Sequence, residues 1–313
     1  ADTSIKRLDF GTWKLVTRCD YISAIELLKE SQNRGINFFD TSDNYPAAES
    51  WIGRGIKEGE LDRDKMVIAT KVGLPTTKYE NFMSDTSSER IRQQVDKSRK
   101  ILGVDIIDLY QIHVHDPNTR VDNILMTMSD LIEKKKIRHY GFSNYDYVEL
   151  GVALEFCKKI GTIPPVSLQN MYNIAQLGKD AIDAIKLARE NDMSILAHSP
   201  LGRGFLIEKN ILAENKKEFV SEKIKEPFRK LNEYAKSKGQ NIQQLSLAWL
   251  LSQKNTIPVI GAYKTEYLKE AIDSLLVRID KETEEKINEA RKEFLDNTLD
   301  IGYAVVNQIM LED

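Results

Sequence analysis

The chain has 313 residues, of which 41% are hydrophobic and 30% charged, and carries a net charge of −3. That is the composition of a globular protein with an ample core, with room for one large α/β barrel or two ordinary domains. The acidic balance gives no electrostatic reason to expect nucleic acid or an anionic membrane as partner, and no apolar run approaches the ~20 residues that span a bilayer. The two cysteines, Cys19 and Cys157, are far apart and belong to no CxxC pair, which argues against a disulfide framework or a structural zinc site. The first residues, Ala-Asp-Thr-Ser-Ile-Lys, contain no apolar signal core, so a cytoplasmic protein is expected.

Strand-like runs fall at 8–10, 36–40, 66–71, 106–113, 140–143, 165–169, 194–198 and 257–260. They are short and mostly continuous in hydrophobicity, the pattern of strands buried on both faces. Amphipathic stretches at 21–33, 87–102, 121–136, 146–160 and 179–191 alternate with them, and 242–253 precedes the eighth strand. The start at Ser87-Ser88-Glu89 resembles a helix cap. Strands begin roughly 30 residues apart, the length of a βα unit, and eight such units make a (β/α)₈ TIM barrel. The surplus falls in a long charged insertion after strand seven, 201–241, which holds a loop and an extra helix, and in a further helix at 281–294 before the tail 295–313. The charge runs 57–65 and 134–136 read as solvated helix ends or turns. No Ser/Pro/Gly-rich linker divides the chain, so one barrel domain over 1–313 is expected. A doubly wound nucleotide-binding fold would want GxGxxG after an early strand; the only similar pattern, Gly202-Arg203-Gly204, follows strand seven and lacks the third glycine.

Three strands end in a functional side chain. The run 36–39 ends in Asp40, with Tyr45 five residues later; 66–70 ends in Lys71; and 106–112 ends in His113. In a barrel these ends share the C-terminal mouth, where such folds carry their active sites. Each residue alone has a plainer reading: a cap for Asp40, a snorkelling or paired lysine, a hydrogen-bonded core histidine, a packed tyrosine. Those readings predict no joint placement on strands two, three and four. As a set the groups are chemically coherent. Asp40 holds Lys71 charged, the ammonium lowers the Tyr45 pKa from its usual ~10, and the His113 imidazole meets a carbonyl oxygen as charge develops on it.

The sequence resembles the aldo-keto reductases along nearly its whole length. The resemblance rests on Gly11-Thr12-Trp13, Phe39-Asp40-Thr41 with Tyr45, Glu49 and Gly53, Ala69-Thr70-Lys71, Gln111-Ile112-His113, Gly141-Phe142-Ser143-Asn144, Gln169, Ser199-Pro200-Leu201-Gly202-Arg203-Gly204, and Ile257-Pro258-Val259-Ile260-Gly261-Ala262 followed by Glu270. It implies an NAD(P)H-dependent enzyme that interconverts a carbonyl and an alcohol on a small-molecule aldehyde, ketone or sugar. By position Tyr45 is the general acid/base, tuned by Asp40 and Lys71, with His113 orienting the carbonyl. Ser143, Asn144 and Gln169 correspond to residues that grip nicotinamide, with Thr12 and Trp13 beside them. Ser199, Leu201, Gly202 and Arg203 correspond to the pyrophosphate segment, and Gly261, Lys264 and Glu270 to the adenosine end. Ala271 stands where the family often has Asn, and Tyr267 where many members have Arg or Gln. Lys264 remains for a 2′-phosphate, so NADP is expected, with NAD possible. His198 replaces the aromatic residue often found before Ser-Pro-Leu. Trp13 and His115 are expected to touch substrate, with Trp51 and Phe205 as further candidates.

Three other readings compete. A metal-dependent barrel hydrolase would use His113, His115, Asp116, Lys71 and His198. Such enzymes generally put the HxH pair on the first strand, before a lysine, and His139 is expected to open strand five at the opposite face. A Schiff-base aldolase on Lys71 would leave Asp40, Tyr45 and the strand-seven glycines unexplained. A cofactor-binding regulatory subunit, like the potassium-channel β-subunits of the same fold, would not require the full set.

Overall fold

The computed structural model describes residues 7–75, 84–175, 179–211 and 222–298. Residues 212–221 of the insertion and 299–313 of the tail lie outside the described residues. Eight parallel strands run β1 Asp9–Gly11, β2 Phe38–Asp40, β3 Val67–Val72, β4 Ile107–Ile112, β5 Ile137–Ser143, β6 Ser167–Met171, β7 Ser194–His198 and β8 Thr256–Ile260. Each pairs with the next, and β8 returns to β1, so the sheet closes into a barrel and leaves no edge. Around it lie α1 Trp13–Arg18, α2 Tyr21–Asn33, α3 Ala48–Lys57, α4 Ser88–Leu102, α5 Val121–Glu133, α6 Tyr147–Ile160, α7 Lys179–Glu190, α8 Glu208–Ile211, α9 Glu222–Ser237, α10 Ile242–Ser252, α11 Thr265–Asp273 and α12 Lys281–Thr298.

Alternation along the strands sorts the core into two shells. Phe10, Phe39, Ile68 and Tyr110 join the large cluster between sheet and helices. Phe38, Ala69, Leu109 and Leu196, with Val67, Ile257 and Val259, form a separate plug within the barrel. On this inward parity one layer further along stand Asp40, Lys71 and Gln111. Register fixes that layer: Asp40 pairs with Gly11 and Ala69, and Lys71 with Gln111. The C-terminal rim therefore collects polar side chains above a dry plug.

Local signals account for several helix starts. The Asp20 side chain accepts from the Ser23 amide at 2.8 Å, and Ser87 accepts from Arg90, the expected cap. Asp146 with Glu149, and Asn241 with Gln244, form reciprocal capping boxes. Four differences from the sequence reading stand out. Helix α3 occupies residues where no helix is expected between strands two and three, because Gly53 and Gly55 break its apolar pattern. Gly53 is there for contact: a Cβ on it would lie 2.1 Å from the Ile101 carbonyl at the end of α4. Helices α1 and α11, of 6 and 9 residues, are too short for a sustained amphipathic pattern. Strand β5 begins three residues early, which places His139 within the strand, exposed, opposite Leu109.

Candidate active site

Asp40 closes β2 and is almost completely buried. One carboxylate oxygen accepts from the Lys71 ammonium; the other accepts from Gln111 Nε2 at 3.2 Å and Gln169 Nε2 at 2.8 Å. Lys71, with no solvent exposure at all, also donates to the Thr41 carbonyl at 2.8 Å. Burial by itself lowers the pKa of this lysine. Asp40 first, then Tyr45 and Asp9, outweigh it and hold the ammonium above its ordinary value.

Tyr45 sits on the turn that leads from β2 into α3. Its amide donates to the Ser42 carbonyl at 3.1 Å, and its own carbonyl accepts from the Ala48 amide at 3.2 Å. The Lys71 ammonium lies 5.2 Å from its ring centroid. The Trp13 ring is 5.1 Å away, and the His113 ring 5.9 Å away at 75°. The sequence reading has Lys71 lowering the Tyr45 pKa. Lys71 does pull in that direction, but burial pushes harder, Asp40 and Asp9 add to it, and the net result is a phenol pKa above its ordinary value. The phenol is therefore a group that keeps its proton at neutral pH.

His113 follows directly on β4, and its Nδ1 is 3.0 Å from Ser42 Oγ. Burial, then the charge of Lys71, then His198, push its pKa well down, so the ring is a neutral imidazole. The four side chains expected to act together thus converge on one rim. Ser42 and Gln111 join them, and Asp43, beside Tyr45, is the one acid of this loop titrating near neutrality, pushed up to about 7 by burial and by Glu49. Nothing in the spacing of the Asp43 neighbourhood marks it; only the fold brings Glu49 back under the loop.

The other expected positions surround this centre in chain order. Asn144, in the left-handed region at φ 56°, donates its amide to the Gln169 carbonyl at 3.0 Å and its side chain to the His113 carbonyl at 2.9 Å and Ser143 Oγ at 3.1 Å. His198 bridges this group to the next loop: Nε2 lies 3.0 Å from Asn144 Oδ1 and Nδ1 3.2 Å from Ser199 Oγ. Close packing, then the charges of Arg203 and Lys71, hold the His198 ring neutral. The Ser199–Gly204 segment turns on Ser199, Gly202, Arg203 and Gly204, with φ of 51°, 59°, 57° and 95°. The turn is tied by its own amides, Gly202 donating to the Ser199 carbonyl at 2.8 Å and Gly204 to the Leu201 carbonyl at 3.0 Å. After β8, Gly261 packs on Lys14 and Lys264 is the N-cap of α11, whose first turn has no side-chain cap. Besides Gln169, Asn144 and Ser199, two more of the expected contacts are engaged within the protein. Thr12 Oγ1 donates to the Asp40 carbonyl at 3.0 Å, and the Glu270 carboxylate accepts from Asn241 Nδ2.

Of the aromatic and histidine candidates at the mouth, Trp13 is half exposed. His115 Nδ1 is 3.0 Å from Glu149 Oε1, with its ring edge-on to Tyr145. Trp51 instead belongs to α3 and packs edge-on against Tyr21, and Phe205 is buried against Phe294 of α12; both are packing residues. The members of the alternative metal set are separately engaged: His113 on Ser42, His115 on Glu149, His198 between Asn144 and Ser199, and Asp116 on Thr86, Asn118 and Thr119. Among the described residues no helix is long and apolar enough to cross a membrane.

Comparison with known proteins bears on the family. The profile of the Aldo/keto reductase family matches residues 7–292. The chain is 30% identical over 285 residues to "Aldo-keto reductase yakc [NADP(+)]" of Schizosaccharomyces pombe, covering 84% of this chain and 81% of that protein. It is 28% identical over 300 residues to the "Uncharacterized oxidoreductase YrpG" of Bacillus subtilis, covering 91% and 92%. To the "L-glyceraldehyde 3-phosphate reductase" of Escherichia coli K12 it is 25% identical, covering 86% and 83%. The chain belongs to the aldo/keto reductase family of oxidoreductases.

Proposed function

We propose that the protein is a carbonyl reductase and alcohol dehydrogenase that uses NADP in preference to NAD, within one barrel domain. Its acid–base group is Tyr45. The observation that carries this reading is the convergence of Tyr45, Lys71, Asp40 and His113 on one rim, with the phenol protonated and the imidazole neutral. Tyr45 donates its proton to the carbonyl oxygen. Lys71, kept cationic by Asp40, stabilises the phenolate left behind, and His113 directs a hydrogen bond at the same oxygen. A bound nicotinamide cofactor would supply or accept the hydride. The residues fit such a cofactor: polar groups of Ser143 and Asn144 meet at the rim, the Ser199–Gly204 turn follows β7, and Lys264 stands at the N-cap position of α11, which no side chain caps, suited to a 2′-phosphate. The name of the fission-yeast relative supports the same preference.

The substrate we propose is a small uncharged aldehyde, ketone or sugar. His115 at the mouth is already paired with Glu149, and Trp13 offers an apolar face. Cys19 and Cys157 are both free thiols, in keeping with a reducing cytoplasmic setting. Replacing Tyr45→Phe tests the reading. Turnover of aldehydes is expected to fall about 10³-fold while NADPH affinity, read by fluorescence titration, changes less than about twofold. Near-normal turnover would remove Tyr45 from the acid role.

A further inference from the structure

Beneath the rim lies a third carboxyl that neither the resemblance nor the proposed chemistry uses. Asp9 is on β1, opposite Phe38 and Val259, one inward layer below the Gly11–Asp40 pair. Its side chain is completely buried, and neither oxygen has a hydrogen-bond partner among the described residues. The charged groups that face it are Asp40 from β2 and Lys71 from β3; β8 brings apolar Val259. A bare carboxylate in such a place is costly, whereas a neutral carboxylic acid is tolerated.

We infer that Asp9 is a positioning residue for the acid–base step, a buried carboxyl whose ionisation state sets how strongly Lys71 acts on Tyr45. The inference rests on the reductase reading of Tyr45. Burial and then the Asp40 charge hold the Asp9 proton well above the usual carboxylate range, and the Lys71 charge offsets only part of this. With Asp9 neutral, the Asp40–Lys71 pair carries no net charge and the ammonium pulls freely on the phenol. When Asp9 releases its proton to solvent, Lys71 is flanked by two carboxylates, and the added negative charge raises the Tyr45 pKa further. Tyr45 then remains a proton donor at higher pH, which sustains carbonyl reduction and disfavours the reverse reaction, where a phenolate must accept the proton. No bond among the reacting atoms is altered; Asp9 acts only through charge.

The variant Asp9→Asn keeps size and removes the ionisation. The first measurement needs no cofactor: thermal unfolding of both proteins from pH 5 to pH 9. A carboxyl whose folded-state pKa is raised costs stability progressively as pH rises from its ordinary value to that raised one. The Tm advantage of Asp9→Asn should therefore widen with pH; a constant difference overturns the inference. The second is the pH profile of turnover. The Asp9 charge acts on the Tyr45 phenol through the barrel interior, and a unit charge within roughly 8–10 Å in such a site moves a titration by about one pH unit. The alkaline limb of aldehyde reduction should thus fall about one unit lower in the variant, and alcohol oxidation should begin about one unit lower. Superimposable profiles overturn the coupling. If wild type reduces no carbonyl while the Tm difference widens as expected, the reductase reading fails, and the coupling to Tyr45 with it, but the buried proton stands. If the variant does not fold, infrared spectroscopy of the Asp43→Asn, Glu49→Gln protein, which lacks the other two raised carboxyls of this region, decides: a protonated carboxylic acid band remaining at pH 7 supports the inference, and its absence overturns it.

Discussion

Replacing Asp43→Asn should make the protein more stable, and increasingly so as pH rises. The Asp43 side chain is excluded from solvent, accepts from Ser42 Oγ at 3.3 Å, and has Arg90 Nη2 3.7 Å away. Burial and then Glu49 carry its pKa from 3.8 to about 7, with Arg90, Ser42 and the Asn44 amide offsetting part of the rise. Because the folded-state value lies above the unfolded one, the native state binds more protons between them. Stability therefore falls from about pH 4 to about pH 7 and then levels off. The interval from 3.8 to about 7 spans roughly three pH units, and each corresponds to about 1.4 kcal/mol. The ionised side chain thus costs about 4 kcal/mol above neutrality. Asn removes that cost and preserves the shape of the loop that carries Ser42 and Tyr45. In urea unfolding, the stability difference between variant and wild type should widen by about 3 kcal/mol from pH 4.5 to pH 8. Parallel pH curves would refute the assignment of a near-neutral carboxyl to this loop.

The buried ion pair predicts the opposite sign. Lys71→Met leaves Asp40 in the barrel with Gln111 and Gln169 as its side-chain donors among the described residues, and should cost about 3–5 kcal/mol in urea unfolding, partly recovered by adding Asp40→Asn; an unchanged midpoint would show the pair to be dispensable. Gly53→Ala must part α3 from the Ile101 carbonyl, and a loss of about 1–3 kcal/mol is expected in the same assay, with no loss indicating that α3 shifts freely. Lys264→Ala should weaken NADPH roughly tenfold and NADH less than twofold in fluorescence titration; equal effects would move the 2′-phosphate elsewhere.

The barrel was legible because its strands are buried on both faces and so read as unbroken apolar runs, each near the length of one βα unit from the next. What escaped was the structure made by contact. Helix α3 has glycine at its close approach to α4, and glycine is a poor helix former in isolation; α3 is held by packing that no local pattern displays. Trp51 has the same explanation. Read as a loop residue it is a candidate for substrate, but once α3 exists it turns to Tyr21 and packs, partly buried, against the core.

At the site, sequence order placed the right side chains on the right strands, because strand ends in a closed parallel barrel share one rim. It did not yield the balance of forces there. Lys71 near Tyr45 suggests a lowered phenol pKa when only the pair is considered, yet the site also has depth, and burial acts on the phenol from every side while Lys71 acts from one. The same depth makes Asp9 matter. In the sequence it is one acid in a short apolar strand, easily taken for a strand end, and only the register that sets it a layer below Asp40 reveals a second carboxyl under the same ammonium. Pairwise chemistry is readable from order along the chain, whereas the sign of a pKa shift in this barrel depends on how many charges share one dry interior.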